Sequence, residues 1–162
     1  MKKIFFVLIL SMSAGSMLFA QSSSFHRLFE KYENEDAVTV VSISKNMLNL
    51  IPGNIQTGTT VDIKNIVPKI ESILLISADT IHLKEKMNAD FKSLIEKDKS
   101  YEELMRVKSG KSNILFHAKK KGELISELMM LINDEANFVA IQILGNFTLD
   151  EIKSIAVDTE KQ

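Results

Sequence analysis

The sequence predicts an α+β domain, a mixed, largely antiparallel sheet of about six strands with helices packed on one face. Three observations lead there. Apolar residues recur at helical spacing near the start of the chain and again from Asp79 to Lys97. β-Branched residues alternate from Asp36 to Ser44, and an apolar run fills Ile70 to Ile76. From Tyr101 onward, four runs with strand character follow one another with connections of only a few residues, the pattern of an antiparallel meander.

Taken in order, Ser22 to Asn34 carries Phe25, Leu28, Phe29 and Tyr32 on one stripe and predicts a short amphipathic helix. Asp36 to Ser44 predicts a strand with Val38, Val40 and Ser42 on one side and Thr39, Val41 and Ile43 on the other. Lys45 to Ile51 predicts a helical turn or two, stopped by Pro52–Gly53. Gly53 to Asn65 is polar and predicts an exposed loop. Ile70 to Ile76 predicts a second strand, parallel to the first through a crossover. Asp79 or Thr80 then caps a helix to about Lys97, with Leu83, Met87, Phe91, Leu94 and Ile95 on its buried stripe.

The meander comprises Glu103–Lys108, Asn113–Lys119, Leu124–Ile132 and Asn137–Leu144. Its connections are Ser109–Gly110–Lys111–Ser112, Lys120–Lys121–Gly122 and Asn133–Asp134–Glu135. Ser100 and Glu103 also fit a capping box, so Tyr101 to Met105 has a helical alternative to the strand. A final helix is signalled by Thr148 and Glu151 spaced as a capping box, with Phe147 and Ile152 placed as a hydrophobic staple.

Residues 1–20 read as a signal peptide and 21–162 as a single domain. Lys2 and Lys3 form a positive n-region, Ile4 to Leu10 is unbroken apolar, and small residues lead to Ala20 before polar Gln21–Ser24. Cleavage after Ala20 predicts an exported chain, periplasmic or extracellular, without a transmembrane anchor. The competing reading, a retained anchor, uses an apolar stretch near the lower limit for spanning and interrupted by serines and a glycine. Loss of the leader leaves eighteen basic residues against twenty-one acidic ones, a balance of −3. That is too mild for a nucleic-acid or anionic-lipid footprint. The chain has no cysteine, which excludes disulfides, thiolate chemistry and lipid attachment through a lipobox cysteine.

No motif nominates a catalytic, cofactor-binding or metal-ligating residue, so the chain reads as a non-enzyme without cofactor. Gly110–Lys111–Ser112 ends like a phosphate-binding loop, but the glycine needed five residues earlier is Met105 and a strand follows. His26, His82 and His117 fall in three elements without ligand spacing, and His117 reads as part of a solvated strand face. Lys119–Lys120–Lys121 reads as a solubilising hairpin tip, with glycan sulfate or phosphate as the alternative. Glu102 and Glu103 fall on opposite sides of a strand. Glu103 and Glu127 are the one carboxylate pair placed for hydrolytic chemistry between strands. Asn146–Phe147–Thr148 matches an N-glycosylation formula, although Thr148 already serves as a cap. Asp79–Thr80–Ile81 is similar to an O-glycosylation acceptor, against a plain helix cap.

Several segments together resemble a known family. Ala20–Gln21, Phe25 to Tyr32, Tyr101 to Met105, Glu123 to Leu128 and Ile141 to Phe147 resemble the exported Bacteroidetes family catalogued as domain of unknown function 4252. The resemblance implies export and one domain, and it brings no catalytic residues. The function expected is therefore an envelope protein acting through protein–protein interaction with an unidentified envelope partner. The alternative is a module for an apolar small molecule or lipid, with Met47, Met87, Met105, Met129 and Met130 lining an adaptable pocket.

Overall fold

The computed structural model describes residues 24–50, 54–56, 60–62 and 66–151. The expected leader, the Pro52–Gly53 stop and the staple residue Ile152 lie outside them. Each alternating stretch becomes a strand, and each helical stripe a helix. In chain order these are α1 (Ser24–Tyr32), β1 (Val38–Ser44), α2 (Lys45–Leu48), β2 (Asn54–Gln56) and β3 (Thr60–Asp62). A 3₁₀ turn (Val67–Lys69), β4 (Ile70–Ala78) and α3 (Ile81–Lys97) follow. The meander is β5 (Tyr101–Ser109), β6 (Ser112–Lys121), β7 (Leu124–Asn133) and β8 (Phe138–Phe147).

Six strands form one sheet in the order β1-β4-β8-β7-β6-β5, and every neighbouring pair is antiparallel. The parallel crossover expected between the first two long strands is therefore corrected. β1 and β4 pair antiparallel through an unbroken register from Val38↔Ala78 to Ser44↔Ser72. The intervening chain returns at the same end of the sheet, so no crossover is needed. The segment expected to be loop throughout holds a second correction, since β2 and β3 pair as a small separate hairpin. Tyr101 to Met105 is strand, not helix.

One face of the sheet is packed by α1 and α3. Phe25, Phe29 and Tyr32 of α1 and Met87, Phe91, Leu94 and Ile95 of α3 meet Ile76, Leu115, Met129, Leu131, Phe138 and Ala140 of the sheet. Phe91 sits between Phe25 and Phe138, with ring centroids 5.2 and 5.7 Å away. Full burial of each such side chain is worth roughly 1.5–3 kcal/mol, which lets the domain do without staples. A smaller cluster on the opposite face (Leu48, Ile66, Ile70, Ala118, Ile125, Leu128 and Phe147, with Leu149 against it) covers one end of the sheet.

The capping box forms as its spacing predicts. The Thr148 amide donates to Glu151 Oε2 at 2.9 Å, and the Glu151 amide donates to Thr148 Oγ1 at 3.3 Å, opening a helical turn at 149–151. The hairpin turns place Gly110 and Gly122 at φ of 56° and 64°, a region costly for other residues. Thr80 is the N-cap of α3, although its side chain makes no capping hydrogen bond.

Candidate functional site

Polar chemistry gathers at one corner of the helix-covered face. Directly opposed residues share a face of a sheet. The register therefore lays Tyr101, Lys119 and Glu127 in one row across β5, β6 and β7, and Glu103, His117, Met129 and Gln142 in the next. Two bulges create this alignment. The pairing shifts by one residue between Glu103 and Met105, and again where Lys119↔Glu127 follows Lys120↔Ile125. Counting back from either hairpin turn without the bulges would put Glu127 opposite Ala118 and Tyr101 opposite Lys120. The extra residues re-aim the side chains beyond them, the usual effect of a bulge.

Glu127 is the hub of the corner and is buried. The Tyr101 hydroxyl and Gln142 Nε2 both donate to its Oε1 at 2.5 Å, and Lys119 Nζ lies 3.1 Å from its Oε2. Lys119 also reaches Asp98 at 2.9 Å and lies over the Tyr101 ring, 4.4 Å from its centroid. Burial, then the bond to Glu127, drives the Tyr101 hydroxyl far above the usual phenol range. Asp98, at the end of α3, is held down to about 2, first by the Ser100 hydroxyl and then by Lys119. Burying a carboxylate is tolerated only when such partners replace its water.

Beside this hub lies a cleft of about 430 Å³, between the last turns of α3 and the strands β5 and β6, with Glu103, Arg106 and His117 on its wall. Arg106 grips Glu103 through both carboxylate oxygens at 3.0 and 2.5 Å, holding that carboxyl below its ordinary range. His117 Nε2 stands 3.8 Å from Glu103. Burial pushes His117 below the ordinary imidazole range, so it is neutral at pH 7. Its solvated placement is thus corrected: it is 8% exposed and faces the helices, because Phe116 and Ala118 turn to the other side. Lys119 is likewise no hairpin-tip lysine, being tied to Asp98 and Glu127, and Lys120 pairs with Glu102 at 2.8 Å.

The pair Glu103 and Glu127 is not brought together. The two lie on strands separated by β6, and Glu127 is absent from the cleft wall while its oxygens are taken by Tyr101, Gln142 and Lys119. His26 on α1 and His82 on α3 are both exposed and far along the chain from His117. Among the described residues no group of three or more His, Cys, Asp or Glu side chains is arranged to hold a metal ion. The methionines do not converge either: Met87 and Met129 fill the helix-side core, whereas Met47 and Met105 stand exposed.

The opposite face has a different character. One row across all six strands reads Val41, Leu75, Ile141, Met130, Phe116 and Met105, and the next reads Thr39, Ser77, Val139, Ile132, Ile114 and Val107. No residue of either row is charged. Yet none is fully buried: Met105 is 48% exposed, Val41 and Val107 40% each, and the apolar residues between them are only partly covered. Among the described residues this face is thus apolar, uncharged along two rows and partly open to solvent. Its sequence signal is the apolar character of both alternating sides of β7 and β8.

Among the described residues, no helix is long and apolar enough to cross a membrane. No curated protein and no solved structure matches the chain. A family model matches residues 32–155, from the end of α1 through the whole sheet. The chain therefore belongs to the family described as Domain of unknown function (DUF4252).

Proposed function

We propose that the protein is an exported, non-enzymatic envelope protein that works through protein–protein contact, with the partly open sheet face opposite α1 and α3 as its contact surface. The observation that carries this reading is the uncharged row from Val41 to Met105, left partly open on a sheet whose other face is packed by α1 and α3. Met105, Met130 and Phe116 give that surface adaptable, polarizable side chains suited to a protein partner. The polar corner supports the non-enzymatic half of the reading. The carboxylates of Asp98, Glu103 and Glu127 are engaged by internal partners, and the hydroxyl on the cleft wall, that of Tyr101, is committed to Glu127 rather than to His117.

The test is affinity capture from an envelope extract of the native host, using the wild-type chain beside a Met105→Lys, Val107→Lys variant. A partner recovered reproducibly with the first and lost with the second supports the reading, and equal recovery by both sinks it. A copurified apolar small molecule or lipid seen by native mass spectrometry, and lost in the same variant, would favour the alternative of a ligand module. Export is checked separately by amino-terminal analysis. The expected start is Gln21, and a chain beginning at Met1 in the membrane pellet would overturn it.

A further inference from the structure

The two edges of the sheet are built differently. β5, at one edge, carries Glu102, Glu103, Arg106 and Lys108 within nine residues and is broken by a bulge. Charges and bulges are how natural sheets keep an edge from pairing with another chain. β1, at the other edge, is Val-Thr-Val-Val-Ser-Ile-Ser, with no charge, no proline and no bulge against β4. Among the described residues no strand pairs with its outer side. Thr39, Val41, Ser42 and Ser44 are exposed there. One edge is protected and the other is left competent to pair.

We infer that β1 is a dimerisation edge, pairing antiparallel with β1 of a second copy about a two-fold axis at Val41. The strand is self-complementary in two respects. Val41 is its midpoint, so antiparallel pairing sets Val41 against Val41, Thr39 against Ile43 and Val40 against Ser42. Residues thereby meet partners on the same face, and β-branched side chains oppose one another on the open side. The flanking charges also match: Glu35 and Asp36 precede the strand and Lys45, which also pairs with Glu71 of its own chain at 2.6 Å, follows it, so each acidic end meets a lysine of the other copy. Parallel pairing would set like ends together. The result is a continuous twelve-stranded sheet with α1 and α3 of both copies on one side and both partly open apolar faces joined on the other.

The test uses the full chain, with mass measured by light scattering and sedimentation across a wide concentration range. The expected wild-type species is a dimer, and Val41→Lys should raise its dissociation constant at least a hundredfold with unchanged far-UV circular dichroism. The chain has no cysteine, so Val41→Cys introduces a single thiol. Oxidation should yield a disulfide-linked dimer, whereas Val107→Cys at the β5 edge should not. Lys45→Glu should weaken the dimer, and adding Asp36→Lys should restore it. If Val41→Lys perturbs folding, the cysteine cross-link decides. A wild-type chain that stays monomeric throughout, or a dimer lost with Met105→Lys but not with Val41→Lys, overturns the inference.

Discussion

Removing the Glu127 carboxylate should be the most damaging single polar change in the protein, and the size of the loss follows from its partners. In Glu127→Ala the Tyr101 hydroxyl and Gln142 Nε2 lose charge-assisted bonds, worth about 1.5–3 kcal/mol each when measured singly. Lys119 keeps Asp98, 2.9 Å away, and is about a quarter exposed, so it does not become a stranded buried charge. That moderates the 3–5 kcal/mol typical of a broken buried pair. The expected destabilisation is about 3 kcal/mol, or about 10 °C in Tm for a domain of this size. Glu127→Gln should cost less, about 1.5 kcal/mol, because Gln142 Oε1, without a hydrogen-bond partner, can accept from the new amide after a flip. Tyr101→Phe alone should cost about 1 kcal/mol, with a coupling to Glu127→Gln of similar size in a double-mutant cycle. The quadruple change Tyr101→Phe, Lys119→Met, Glu127→Leu and Gln142→Leu, which also removes the amide that Glu127 satisfies, should return to within about 1 kcal/mol of wild type, since an apolar cluster needs no desolvation of charge. Urea unfolding followed by circular dichroism measures each value. A Glu127→Ala cost under about 1 kcal/mol, or strictly additive costs for Tyr101 and Glu127, would refute the hub.

Both tyrosines of the chain are bonded to carboxylates, Tyr32 to Asp90 at 2.6 Å and Tyr101 to Glu127. Burial first, then those bonds, raises Tyr32 to about 12 and Tyr101 further. Their folded values lie above the unfolded value near 10, so their stabilisation is whole below about pH 10 and is lost as pH rises past it. In the folded protein, absorbance at 295 nm should therefore stay flat through pH 10 and rise only toward pH 12 or with unfolding; ionisation of either phenol near pH 10 with dichroism intact would contradict this. Asp98, held at about 2, contributes stability above its unfolded value near 3.9 that fades as pH falls toward 2. Asp98→Asn should flatten the urea-midpoint profile between about pH 4 and 2, and an unchanged slope would count against it. At Gly145 an added Cβ would lie 2.4 Å from the Lys69 carbonyl oxygen and 2.9 Å from the Phe147 ring. Gly145→Ala should cost about 2 kcal/mol by forcing backbone apart, read as a lowered urea midpoint, while a neutral result would mean that the β4 end yields freely.

What the sequence determined by itself was everything carried by short-range periodicity. The stripe Met87, Phe91, Leu94 and Ile95 identified α3 and its buried side, because a helix places residues three and four apart on one face whatever lies beyond. Alternation and turn residues located all four meander strands, and the Thr148–Glu151 box foretold its reciprocal bonds since both partners lie within one turn. The tertiary structure decided what depends on pairing between distant segments. The antiparallel placement of β1 on β4 arises from where the intervening chain returns, and no residue within either strand encodes it. His117 was misplaced because alternation says which residues share a side but not which side the helices cover. The Tyr101–Lys119–Glu127 row was invisible because two one-residue bulges, inserted near Leu104 and Ser126, shift the register that turn counting would assign. A bulge is selected by packing against the rest of the sheet and by α3 above it. It leaves no mark in the hydrophobic period, so the corner where charge gathers exists only once the sheet has closed its register.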